Sequence, residues 1–119
     1  ASDLEDYLAT HWQPRFARRH ASNLYAHLTT WYHSDISDNK RFNGDLAAAL
    51  ASIQARVLLL PGATDLYFRA ADNEAELKHL RNAQLVRIPS AWGHLAGNPQ
   101  RNPEDAAFIR DVVRRWLQE

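Results

Sequence analysis

The chain contains no cysteine. A disulfide framework, a thiolate metal site and a cysteine nucleophile are therefore excluded, and the usual clue to redox compartment is missing. Charge of one sign is not in surplus: 14 Lys and Arg face 14 Asp and Glu. A general nucleic-acid binder needs a basic excess to neutralise phosphates, so no nucleic-acid partner is expected. The same balance gives no reason to expect an anionic membrane surface as partner. The run of large apolar residues Val57-Leu58-Leu59-Leu60 is far short of the ~20 residues that span a bilayer. The first residues, Ala1-Ser2-Asp3-Leu4-Glu5-Asp6, lack the basic start and apolar stretch of a secretory leader. A cytoplasmic location with no membrane contact is the resulting expectation. Internal repeats and low-complexity segments are absent as well.

What is present suits a folded chain of modest size. Its 119 residues are 45% hydrophobic, enough to form a core and to argue against disorder. The pattern changes near Ile53. Residues 1–53 read as a helical segment. Leu4, Tyr7, Leu8, His11 and Trp12 follow the spacing of one helix face, Ser2 or Asp3 can cap its start, and Pro14 ends or kinks it. Leu24, Leu28 and Trp31 form a second apolar stripe, and Leu46, Leu50 and Ile53 a third, after a polar loop over residues 34–41. Trp12, Trp31 and Trp116 fall on apolar stripes and are expected in the core. His11, His20, His27 and His33 lack a carboxylate placed to complete a metal site, so no metal is expected. Arg15, Arg18 and Arg19 read as a solvated face.

Residues 54–119 read as strand, helix, strand, helix. Val57 to Leu60 resembles a strand buried on both faces, and it ends at Pro61-Gly62. A helix is predicted over residues 70–80, and a second strand over residues 84–88, closed by Pro89. The last helix opens with Asn102 as cap, Pro103 at its first position and Glu104 and Asp105 in its first turn. Its predicted apolar face is Phe108, Ile109, Val112, Val113, Trp116 and Leu117. The fold class is therefore α/β, with two parallel strands and flanking helices. Two strands do not make an independently stable sheet. The expectation is that further strands come from elsewhere, either an N-terminal remainder of the fold or another copy.

Asp65 and His94 each lie just past the C-terminal end of a predicted strand, where α/β sheets carry functional groups. A carboxylate against one imidazole nitrogen fixes the tautomer and leaves the other nitrogen to take a proton from a hydroxyl. Taken alone, Asp65 is equally compatible with a turn residue, and His94 with a loop residue beside a permissive Gly93. Tyr67, Phe68 and Trp92 are candidates to wall a substrate site. No Ser stands between glycines at the spacing of a nucleophile elbow.

Residues 56–117 resemble the last two strands and helices of α/β hydrolases, with "LLLPGATDLYF" and "IPSAWGH" standing at the acid and histidine loops. "SNLYAHLTTWYHSDIS" and "LAAALASIQARVLLL" are similar to the lid region of the homoserine O-acetyltransferase family. Where that family has an acidic residue after the histidine, this chain has Leu95, and Arg19-His20-Ala21-Ser22 replaces the usual Arg-Phe-Asp before Asn23. The resemblance implies the C-terminal portion of an α/β-hydrolase fold preceded by a lid segment. It implies an acyltransferase moving an acyl group from acyl-CoA to an alcohol such as homoserine, with Asp65 and His94 catalytic and no bound cofactor. The same resemblance admits an esterase. A non-catalytic module that self-associates, as a homo-oligomer, or binds a partner chain is the alternative of another class.

Overall fold

The computed structural model describes residues 1–98, 100 and 102–119. The chain falls into two compact units, Ala1–Asp35 and Ile36–Glu119.

In the first unit, helix α1 spans Leu4–Tyr7 and is capped by the Asp3 carboxylate, which accepts from the Asp6 amide. The helix does not stop at Pro14. It widens into a π-helical stretch, Leu8–Trp12, in which the Gln13 amide reaches back to the Leu8 carbonyl, and resumes as α2 over Gln13–Phe16. Proline cannot donate into the ordinary ladder, and a wider turn upstream absorbs that fault. Helix α3 follows at Ala21–His33. The core placement expected for Trp12 and Trp31 needs correction, since they are 39% and 57% exposed. Trp12 is instead stacked on Phe16 at 5.7 Å and lies 5.8 Å from the Arg15 guanidinium. A stripe at helical spacing marks an apolar face; whether anything covers it is a tertiary matter.

The second unit opens with a turn in which the Asn39 side-chain Oδ1 accepts from the Arg41 and Phe42 amides. Asn43 and Gly44 then both take positive φ, at 49° and 84°, the left-handed region that Asn and Gly tolerate best. Asp45 caps α4, Leu46–Ala51, whose Ala49 and Leu50 are buried.

Strands β1, Val57–Leu59, and β2, Ala83–Leu85, pair in parallel with Val57 opposite Ala83 and Leu59 opposite Leu85. Single hydrogen bonds carry the pairing further, from the Val86 amide to Leu59 and from the Ile88 amide to Pro61. A last bridge joins Gly62 and Ile88. Helix α5, Ala70–Leu77, connects the strands, and α6, Pro103–Gln118, closes the chain. The Asn102 side chain accepts from the Glu104 and Asp105 amides, as its position before Pro103 predicts.

The core of this unit is small. Ile88 and Ala96 are each 1% exposed, and Val112 is the buried residue of the last helix's apolar stripe. Leu117, expected on that stripe, is exposed. Residues Val57, Leu58 and Leu59 are half-buried rather than covered on both faces, because β1 has one strand neighbour among the described residues. At the far end of β1, the Arg56 guanidinium lies 4.4 Å from the Trp116 ring centre and donates to the Trp116 carbonyl. Among the described residues no helix is long and apolar enough to cross a membrane.

Candidate functional site

The loops that follow β1 and β2 lie side by side, held in parallel register by the strands. The Ala63 amide donates to the Ile88 carbonyl at 2.9 Å, which sets the start of the acid loop against the end of the second strand. Asp65 then forms a local turn: its Oδ1 accepts from the Tyr67 amide at 2.8 Å and the Phe68 amide at 3.2 Å. That leaves Oδ2, which lies 3.1 Å from Nδ1 of His94. The Asp65 side chain is 9% exposed and the His94 side chain 51%, so the carboxylate is shielded while the imidazole stays open.

His94 sits in a short 3-10 turn, Gly93–Leu95. Gly93 has φ +53°, a conformation that a side chain would strain. Gly62 permits the close approach of the two loops. A Cβ there would stand 3.0 Å from the Gly93 carbonyl oxygen and 3.1 Å from the Ala96 Cβ. Both contacts are tight, and the first is with backbone that has little freedom to yield.

The Asp65 carboxyl lies below its ordinary value of 3.8. Exclusion from water is the largest single influence and acts upward; the hydrogen bonds from the Tyr67 amide, the His94 ring and the Phe68 amide, with the charge of His94, together outweigh it. A carboxylate whose folded value is depressed adds stability that is present above 3.8 and is lost as pH falls through the lower folded value. In an acid-unfolding series, wild type and Asp65→Asn should therefore differ most above 3.8 and converge in stronger acid. A gap that stays constant with pH would rule out an ionised Asp65 as its source.

Two aromatic rings flank the imidazole. Tyr67 and Phe68 have ring centres 5.1 and 5.4 Å from that of His94, tilted by 53° and 43°. Both remain exposed, as do Leu66 and Leu95. The structure thus brings together Asp65, His94, Tyr67 and Phe68. Trp92 shares the histidine loop and is exposed, and its amide donates to the Ser90 hydroxyl at 3.1 Å. Within the first unit, an open hollow of about 670 Å³ is lined by Trp12, Pro14, Arg15, Phe16, Arg18 and Arg19. Among the described residues no cluster of three or more His, Asp and Glu side chains is arranged to hold a metal ion.

Sequence reasoning did not single out Thr64. Its hydroxyl donates to the Ser90 carbonyl at 2.9 Å and accepts from the Gly93 amide at 3.0 Å. The available signal was a hydroxyl directly before the candidate acid.

No family model matches the chain. Individual proteins do. It is 34% identical over 124 aligned positions to a homoserine O-acetyltransferase of Symbiobacterium thermophilum, an alignment that covers 100% of this chain and 30% of that one. It is 32% identical over 91 residues to a probable esterase of Corynebacterium glutamicum, covering 76% of this chain and 26% of the relative. The solved structure of an acetylester hydrolase from Corynebacterium glutamicum superposes with a TM-score of 0.67 at 31% identity, over 79% of this chain and 26% of that one. The chain thus spans under a third of the length of each protein it matches. These likenesses support an α/β-hydrolase family, and the parallel strand pair with its helices is consistent with part of that fold.

Proposed function

We propose that Asp65 and His94 are the acid and base of a Ser-Asp-His acyl-transfer site, with the serine supplied by polypeptide outside these 119 residues. The observation that carries the reading is the 3.1 Å contact between Asp65 Oδ2 and His94 Nδ1 on adjacent strand-end loops. With Nδ1 held by the carboxylate, Nε2 is the nitrogen left to accept the serine proton. The serine oxygen bonds to the acyl carbon, and the carbonyl electrons move to its oxygen. On collapse, the leaving thiolate or alkoxide takes the proton back from His94, leaving an acyl-enzyme. An acceptor hydroxyl then repeats the sequence in reverse, with His94 again holding the proton.

Transfer from an acyl-CoA to an alcohol such as homoserine is the first reading. It draws on the homoserine O-acetyltransferase whose alignment covers the whole chain. Hydrolysis, with water as acceptor, is the second, and the esterase and acetylester hydrolase relatives favour it. Tyr67 and Phe68, standing beside His94, would wall the acyl group. In either case the chain alone should turn nothing over, because the nucleophile comes from elsewhere.

The test is a paired assay of the complete protein. Acetyl-CoA is supplied with and without an alcohol acceptor, and a simple acetate ester is supplied in water. Acetylated alcohol in the first arm supports transfer; acetate release from the ester alone supports hydrolysis. Absence of both reactions, with the protein folded, would defeat the acyl-transfer reading.

A further inference from the structure

The acid and the base come from loops 29 residues apart, and their own contact is one hydrogen bond. Something else must set the distance between those loops. We infer that Thr64 is a positioning residue, a hydroxyl latch that fixes the histidine loop against the acid loop. The inference rests on the proposed roles of Asp65 and His94.

Thr64 directly precedes Asp65, and Gly93 directly precedes His94. The two neighbours of the pair are bonded to each other: the Gly93 amide donates to Thr64 Oγ1 at 3.0 Å. The same hydroxyl spends its single proton on the Ser90 carbonyl at 2.9 Å. One side chain therefore holds the histidine loop at two points, at Ser90 and at Gly93, on either side of Trp92. The fixed hydroxyl orientation makes the geometry specific, since the donor is committed to Ser90 and only a lone pair faces Gly93.

The packing around the latch leaves little room for drift. Gly93 is also confined at its carbonyl, whose oxygen would stand 3.0 Å from a Cβ on Gly62. A Cβ on Gly93 would itself meet the Thr64 carbonyl at 3.4 Å. The backbone that carries His94 is thus bonded to Thr64 at the Gly93 amide and packed closely against Gly62 at the Gly93 carbonyl. Loosening the hydroxyl removes the attractive half of that arrangement. The loops then separate or rotate, and the Asp65–His94 hydrogen bond, which depends on angle as well as distance, weakens.

Thr64→Val keeps the shape and removes both hydrogen bonds; Thr64→Ser keeps the hydroxyl. In the complete protein, Thr64→Val should lower kcat about tenfold with KM little changed, as expected for one to two lost hydrogen bonds acting on the chemistry rather than on substrate binding. Thr64→Ser should restore most of it. A structural readout runs beside the kinetics: hydrogen exchange at the Gly93 amide. In wild type that amide should be protected, in Thr64→Val it should exchange at least tenfold faster, and in Thr64→Ser protection should return. A Gly93 amide that exchanges as in an unfolded chain in wild type itself overturns the latch, even if Thr64→Val does not fold. So does a Thr64→Ser variant as impaired as Thr64→Val, or a Thr64→Val variant with wild-type kcat. The two inferences fail separately: turnover retained in His94→Ala refutes the proposed base, whereas the exchange experiment still decides whether Thr64 holds the loop.

Discussion

His94→Ala in the complete protein should lower kcat by about 10⁴–10⁶, with the fold intact. The size of that loss follows from what the imidazole does. A hydroxyl at neutral pH is a weak nucleophile, and it becomes a strong one only as its proton leaves. In the proposed site His94 takes that proton, since Asp65 lies against Nδ1 and half of the side chain stays open to solvent. Alanine removes both the base and the acid that later protonates the leaving group. The fold should tolerate the change, since His94 belongs to an exposed 3-10 turn rather than to the core around Ile88 and Ala96. Circular dichroism and thermal melting check the fold, and single-turnover kinetics check acylation and deacylation separately. Wild-type kcat in a folded His94→Ala protein would remove the assignment.

Asp65→Asn should cost about 10⁴ in kcat, a loss of the size expected when a histidine base is left in the wrong tautomer. The local geometry makes this substitution unusually clean. An Asn carbonyl oxygen can still accept from the Tyr67 and Phe68 amides, so the turn that presents the side chain survives. The group facing His94 changes from an acceptor to an NH2 donor. Nδ1 then accepts instead of donating, and the ring proton moves to Nε2, the nitrogen that should receive the serine proton. The imidazolium formed later also loses its neighbouring charge. Proton NMR of the imidazole reports the tautomer directly, independent of any rate. An unchanged tautomer with unchanged turnover would show that Asp65 serves only as a turn residue.

The two residues at issue could be read from their places in the chain, and the reason is topological. An α/β unit presents the residues just after its strands on one edge of the sheet, so a strand followed by Pro61-Gly62 and another followed by Pro89 mark where to look. The start of α6 was equally legible, because Asn102 and Pro103 act through their own backbone and need no distant partner. Other features depend on partners far along the chain. Thr64 is an unremarkable hydroxyl until the parallel pairing brings Ser90 and Gly93 to it, 26 and 29 residues away. The π-helical widening before Pro14 is a compromise among backbone bonds that proline alone does not specify. The exposure of Trp31 and Leu117 could not be read from their stripes, since a stripe does not say what lies against it. The 34% identity to a homoserine O-acetyltransferase bears on the acceptor, which nothing in the loop geometry fixes.

The parallel pairing of β1 with β2 also has a meaning for how such a site is assembled in time. Asp65 and His94 meet across a span of only 29 residues, and the strands that carry them are hydrogen-bonded neighbours. Closing a loop of that length costs somewhat less entropy than a full-domain closure, by about 0.6 kcal/mol for each halving of the length. The acid–base pair can form as soon as one strand–helix–strand unit docks. The nucleophile, in the proposed enzyme, has to be delivered by a more distant closure, which is slower. Folding of the finished chain would then complete the proton relay first and bring the nucleophile to it last, so an incompletely folded chain carries the relay without a serine in place.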